Sequence, residues 1–108
     1  MERLTMQEKH SSNYVLLELE GSINYYTFSD FKVKLFFFAH DINVVVDLSK
    51  VTAIDSSGMS AILGGCIAAE NSGNKLYVMQ PSREALRAIK ATGFMDEIPI
   101  IFSVTEVI

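Results

Sequence analysis

Apolar positions alternate with period two in the first twenty residues and then switch to a helical spacing. Residues 4–9 alternate weakly and predict an edge strand. His10 to Asn13 forms a turn-like cluster. Tyr14-Val15-Leu16-Leu17-Glu18-Leu19-Glu20 alternates more clearly and stops at Gly21, which predicts a second strand paired with the first. Thr27, followed three residues later by Asp30, has the pattern of a helix N-terminus. Behind it Phe28, Phe31, Leu35 and Phe38 recur at helical spacing, while Phe36 and Phe37 widen the stripe beyond one face. Such a stripe fits either a well-buried helix or an exposed aromatic patch that meets a partner or a second copy of the chain.

Val44-Val45-Val46 is a continuous β-branched run, as expected of a central strand covered on both faces. After a short connection, a helix is predicted from about Ser57 to Asn71, with Met59, Ile62, Leu63, Cys66, Ile67 and Ala69 on its apolar side and Gly73 ending it. Gly64 and Gly65 fall mid-helix, where each costs about 1 kcal/mol relative to alanine; they predict close packing against the sheet or a partner. Leu76-Tyr77-Val78-Met79 is the next strand, and Pro81-Ser82 opens a helix through about Lys90 with Gly93 just beyond. Ile98-Pro99-Ile100-Ile101 reads as a short edge strand, and Ser103 begins a stub ending at Val107-Ile108. The order β-β-α-β-α-β-α-β predicts an α/β fold with a mixed sheet and right-handed crossovers between its parallel strands.

Composition narrows the function. A chain of 108 residues is one domain, residues 1–108, large enough for a real core. Its net charge of −4 and lack of any basic run argue against nucleic acid or an anionic membrane surface as partner. No apolar stretch approaches the ~18 residues that span a bilayer, and no apolar signal region follows Met1-Glu2-Arg3-Leu4-Thr5. Cys66 is the only cysteine, which excludes an internal disulfide and fits a reducing, cytoplasmic setting; within its apolar pattern it reads as a small core residue. His10 and His40 have no metal-ligand spacing, and neither a G-x-S-x-G elbow nor a Gly-rich phosphate loop occurs. No metal, cofactor or enzymatic activity is expected.

The chemistry concentrates at Asp55-Ser56-Ser57-Gly58, where a strand gives way to a helix. A serine there faces free backbone N–H groups and the positive end of the helix dipole, beside one carboxylate, so the site can hold a phosphate. Serine is also a favoured capping residue, Asp55 suits a cap or turn, and Gly58 permits a tight turn or clears space for an approaching backbone.

Ile54-Asp55-Ser56-Ser57-Gly58-Met59, followed by Ile62-Leu63-Gly64, resembles the signature of the STAS family, in particular its small bacterial anti-anti-sigma factors. The likeness runs from about Tyr14 to the C-terminus and takes in the Gly21 turn, Thr27, Pro81-Ser82, Thr92-Gly93-Phe94 and the strand behind it. It implies a mixed sheet of about five strands with helices packed mainly on one side. It further implies a phosphorylated serine at Ser57, preceded by the acidic Asp55, and a partner surface drawn from Ser22, Asn24, Asp55, Ser56, Ser57, Gly58 and Met59. Unmodified, such a protein binds an anti-sigma factor that is itself a serine kinase; phosphorylation breaks the complex and a metal-dependent serine phosphatase restores it. A monomer or weak homodimer is expected.

The chain departs from the family pattern at one place. Many members carry two acidic residues after the glycine that ends the second strand; here Gly21 is followed by Ser22-Ile23-Asn24 and then Tyr25-Tyr26. The loss of both charges implies a diverged partner or an unphosphorylated domain. The alternatives are therefore a constitutive interaction module, as in a lipid-transport complex or signalling scaffold, and a binder of a nucleotide or other anion at the tetrad.

Overall fold

The computed structural model describes residues 3–107. Met1, Glu2 and Ile108, the last residue of the expected C-terminal stub, lie outside them. Strands β1 (Leu4–His10), β2 (Tyr14–Ile23), β3 (Asn43–Ile54), β4 (Leu76–Met79) and β5 (Ile100–Ile101) form one sheet whose spatial order equals the chain order. β1 runs antiparallel to β2, and every later neighbour pair is parallel. Helices α1 (Phe28–Ala39), α2 (Ser56–Asn71) and α3 (Arg83–Ala91) are the successive crossovers. Right-handed crossovers that always step in the same direction deliver every helix to the same face of the sheet. That topology explains why the helices share one side.

Period-two alternation divides the strands between the two faces. Val15, Leu17 and Leu19 of β2, Val44, Val46 and Leu48 of β3, and Leu76 and Val78 of β4 join the helix-side core with Phe31, Leu35 and Ile62. Leu16, Val45, Tyr77, Met79 and Ile101 point the other way, where Val104 and Val107 of the C-terminal segment cover them. The valine run is thus buried on both faces, as its composition predicts. The edge strand β1 carries charge rather than apolar surface: Lys9 pairs with Glu18 of β2 at 2.9 Å, and Glu8 pairs with Lys34 of α1 and with His10. The Lys34 ammonium, then His10, holds the Glu8 carboxyl below its ordinary range.

The mid-helix glycines are explained by α1. A Cβ on Gly64 would lie 2.8 Å from the Phe36 ring, and one on Gly65 would lie 2.8 Å from Leu35 and 2.9 Å from Leu76. The two helices approach through these positions, and the partner is internal. The aromatic stripe of α1 is divided accordingly. Phe31 and Leu35 are fully buried, Phe28, Phe36 and Phe38 are half-buried, and Phe37 points outward.

Several boundaries differ from the sequence expectation. The connection expected after the valine run is strand: β3 continues to Ile54, paired with β2 alone beyond Asp47 and shifted in register between Glu18 and Glu20 and between Gly21 and Ser22. Gly21 sits at φ +112°, with the carbonyl oxygen of Arg3 only 1.9 Å from where a Cβ would be. Thr27 precedes α1 but its side chain does not cap it; the hydroxyl donates to the Ser22 carbonyl at 2.8 Å and accepts from the Asn24 N–H at 2.9 Å. β5 starts at Ile100, leaving Ile98 and Pro99 outside, although the Pro99 carbonyl still accepts from the Val78 N–H. The stub after Ser103 is a single 3-10 turn closed by a Ser103–Glu106 capping box.

Candidate functional site

The start of α2 and the β2–α1 loop meet at the C-terminal ends of the parallel strands β2 and β3. One carboxylate fastens them together. Asp55, extended at φ −97° and ψ −172°, is the N-cap of α2: its Oδ1 accepts from the Gly58 N–H at 3.1 Å. Its Oδ2 accepts from the Tyr25 N–H at 3.0 Å, thirty residues away in the loop. The Asp55 backbone N–H reaches the Ile23 carbonyl at 3.1 Å, a second tie between the two segments.

This arrangement settles which residue caps. Ser56 and Ser57 occupy the first two helical positions, not the cap, and neither hydroxyl has a hydrogen-bond partner among the described residues. The backbone N–H groups of Ser56 and Ser57 are likewise unpartnered there, whereas those of Gly58 and Met59 go to Asp55. Two orphan donors and the positive helix end therefore surround the serine pair, with no acidic side chain in the first turn beyond the cap. Ser56 is exposed and opens on a shallow groove of about 370 Å³ between α2 and α3, bounded by Met59, Ser60, Ala88, Ala91 and Thr92. Ser57 is half-buried, and the helical period sets it on the same side as Gly64, toward α1.

The expected partner residues divide by burial. Asp55 and Ser56 are exposed, and Ser57 and Asn24 are half-buried. Ser22 is only 8% exposed, and Gly58 and Met59 are also buried. Ser22 and Gly58 shape the surface from below, while Met59 lines the groove beside Ser56. The Ser22 hydroxyl accepts from the Asn24 side-chain amide at 3.1 Å, and Asn24 Oδ1 accepts from the Tyr26 N–H at 2.8 Å. Asn24 thus organises the loop as a side-chain turn. Gly58 must be glycine for space: a Cβ would stand 2.7 Å from Ile54 Cγ1, 2.8 Å from Ile23 Cγ2 and 3.0 Å from the Ile23 carbonyl oxygen.

Sequence reasoning passed over the tyrosines. Tyr25 and Tyr26 are 69% and 74% exposed, packed edge-to-face at 5.5 Å, and directly follow the Asn24 turn. Two aromatic residues next to a turn asparagine are the signal that could have marked them. With Asp55 fastening Tyr25, the tyrosines, Asn24, Ser56 and Ser57 belong to one surface.

That surface predicts an ordered loss of stability on editing Asp55. Asp55→Ala should lower stability by about 1–2 kcal/mol through the lost cap and loop tie. Asp55→Asn keeps an oxygen for the Gly58 N–H but offers none to Tyr25, so its melting temperature should fall between the two. An Asp55→Ala protein as stable as the parent would contradict this account.

A mixed sheet with helices on one face and a carboxylate-capped serine pair at a strand-to-helix junction defines the class of α/β domain. The chain belongs to the STAS domain family, whose model matches residues 5–107. Among solved structures it is similar to an anti-sigma factor antagonist of Mycobacterium paratuberculosis, with TM-score 0.82 and 17% identity over 95% of this chain and 89% of that one. It is also similar to SpoIIAA, a Bacillus cell fate determinant, in its phosphorylated form: TM-score 0.72, 16% identity, covering 94% of this chain and 95% of that one. The unphosphorylated form of the anti-sigma factor antagonist SpoIIAA gives a TM-score of 0.78 at 15% identity, with 94% and 91% covered. No curated protein matches the chain significantly. Among the described residues no helix is long and apolar enough to cross a membrane, and no group of His, Cys, Asp and Glu could hold a metal ion.

Proposed function

We propose that this domain is an anti-sigma factor antagonist, a non-enzymatic cytoplasmic protein that binds an anti-sigma factor serine kinase through the start of α2 and the β2–α1 loop. Phosphorylation of Ser57 by that kinase switches binding off, and a serine phosphatase restores it. Sigma-factor-dependent transcription would then follow the modification state. The observation that carries the reading is the Ser57 hydroxyl: it is not used as a cap, because Asp55 has that role. The two structures of SpoIIAA, one phosphorylated and one not, lend support from a protein of the same fold.

The electrostatics fit a switch. A phosphate adds about −1.5 to −2 charges at neutral pH, and the helix start offsets it by about 0.3–1 kcal/mol. Asp55 acts against the phosphate, yet its two oxygens are already engaged by N–H donors. The fold therefore tolerates the modification, while a partner packed on the spot must bury an unmatched charge. Ser57→Asp should weaken binding to the kinase by about thirtyfold or more, corresponding to about 2 kcal/mol of unfavourable charge burial. Ser57→Ala should stay bound. Incubation with the kinase and ATP followed by mass spectrometry should place the phosphate on Ser57; modification confined to other residues would overturn the proposal.

A second reading rests on the uncharged Ser22-Ile23-Asn24 turn and the exposed tyrosines. It makes the domain a constitutive interaction module, as in a lipid-transport complex. Capture of a transporter ATPase subunit, undiminished by Ser57→Asp, would favour it.

A further inference from the structure

We propose that the cleft between the C-terminal half of α2 and the segment joining α3 to β5 binds a small amphipathic cation, an amine carried on a hydrocarbon body. The cleft has a volume of about 550 Å³, in the range of sites that take small molecules. It lies some nine residues along α2 from Ser57, a rise of about 13 Å, and shares only Leu63 with the groove beside Ser56.

Its lining divides by chemistry. Leu63 and Ile67 of α2, Leu76 of β4, and Phe94 and Pro99 from the connection supply apolar surface. Ile67 and Phe94 are largely exposed although apolar, so water covers surface that a hydrocarbon body would shield. Cys66 also lines the cleft. It is only 7% exposed, and its thiol has no hydrogen-bond partner among the described residues. Burial, with the nearby Glu70 carboxylate adding to it, pushes the thiol up to about 11, so it presents a neutral, weakly polar group at neutral pH.

The charged residues of the cleft select the sign of the ligand. Glu70, Asp96 and Glu97 face a single cation, Lys75, and none of the four is ion-paired among the described residues. A ligand ammonium offsets the excess negative charge, whereas a fatty carboxylate adds to it. Shape and apolar lining call for the hydrocarbon, and the rim calls for the amine.

Because Cys66 is the only cysteine, its reaction with dithiodipyridine reads this cleft alone. The full chain is reacted at about pH 9, where octylamine is still cationic and some thiolate is available, in the presence of octylamine, 1-octanol or octanoate. Octylamine should protect saturably, slowing the reaction about tenfold at ten times its dissociation constant. Octanol should protect more weakly and octanoate least. The double substitution Glu70→Gln with Glu97→Gln, at exposed positions, should erase the preference for amine over alcohol and leave octanol protection in place. Displacement of N-phenyl-1-naphthylamine fluorescence should report the same order without relying on thiol chemistry. Lack of saturable protection and displacement by octylamine, equal protection by octanoate, or an unchanged amine preference in the double variant would each overturn the proposal.

Discussion

Phe31→Ala should bring this fold close to unfolding, whereas Phe37→Ala, six residues along the same helix, should leave its melting temperature nearly unchanged. Phe31 is fully buried in the helix-side core, where α1 meets α2 and the sheet. Truncating a buried phenylalanine removes its transfer energy and leaves a cavity, together about 3–5 kcal/mol. A chain of this length has a total stability of about 5–15 kcal/mol, so the loss consumes a large share. The melting temperature should fall by about 15–30 °C. Phe37 is 70% exposed, and its removal should stay within about 0.5 kcal/mol. Thermal melts of the two variants decide the matter: equal shifts would mean that α1 packs by a different face.

The second large effect is expected at Gly58. Alanine there would press on Ile54, Ile23 and the Ile23 carbonyl, all at 3.0 Å or less. The carbonyl cannot yield freely, because it also accepts the Asp55 N–H. Relief requires the start of α2 to move away from β2, which strains both Asp55 ties to the loop. Overpacking of this kind costs about 1–3 kcal/mol. Gly58→Ala should therefore lose stability and, on the proposed function, partner binding together, although residue 58 is itself buried. A variant with an unchanged melt and unchanged affinity would show that the helix start has room to spare.

Much of this was legible in the sequence, and the gaps have physical causes. Val44-Val45-Val46 announces itself because both its faces are dry. The rest of β3, from Lys50 to Ile54, lacks that signal because only β2 pairs with it there, so its exposed positions carry Lys50, Thr52 and Ala53. The choice of cap among Asp55, Ser56 and Ser57 is invisible to composition, since aspartate and serine both cap well. It is decided by the extended backbone at Asp55 and the distance to Tyr25. Thr27 has the pattern of a cap, yet its hydroxyl is drawn to Ser22 and Asn24, groups that only the folded loop brings near. The glycine pair in α2 signalled close packing correctly, but the sequence could not say that Phe36 and Leu35 were the neighbours.

The coincidence of spatial and chain order in the sheet also bears on how the molecule is made. Each strand lies on the edge left by the one before it, so no strand has to be threaded between two already paired. Every pairing closes only the loop that contains one intervening helix or turn, which keeps the entropy of each closure small. The strands that position the start of α2 are β2 and β3 alone, and β4, α3 and β5 follow it in the chain. The surface around Ser57 therefore rests on pairings nearer the start of the chain than the cleft around Cys66, which also needs β4 and the segment before β5.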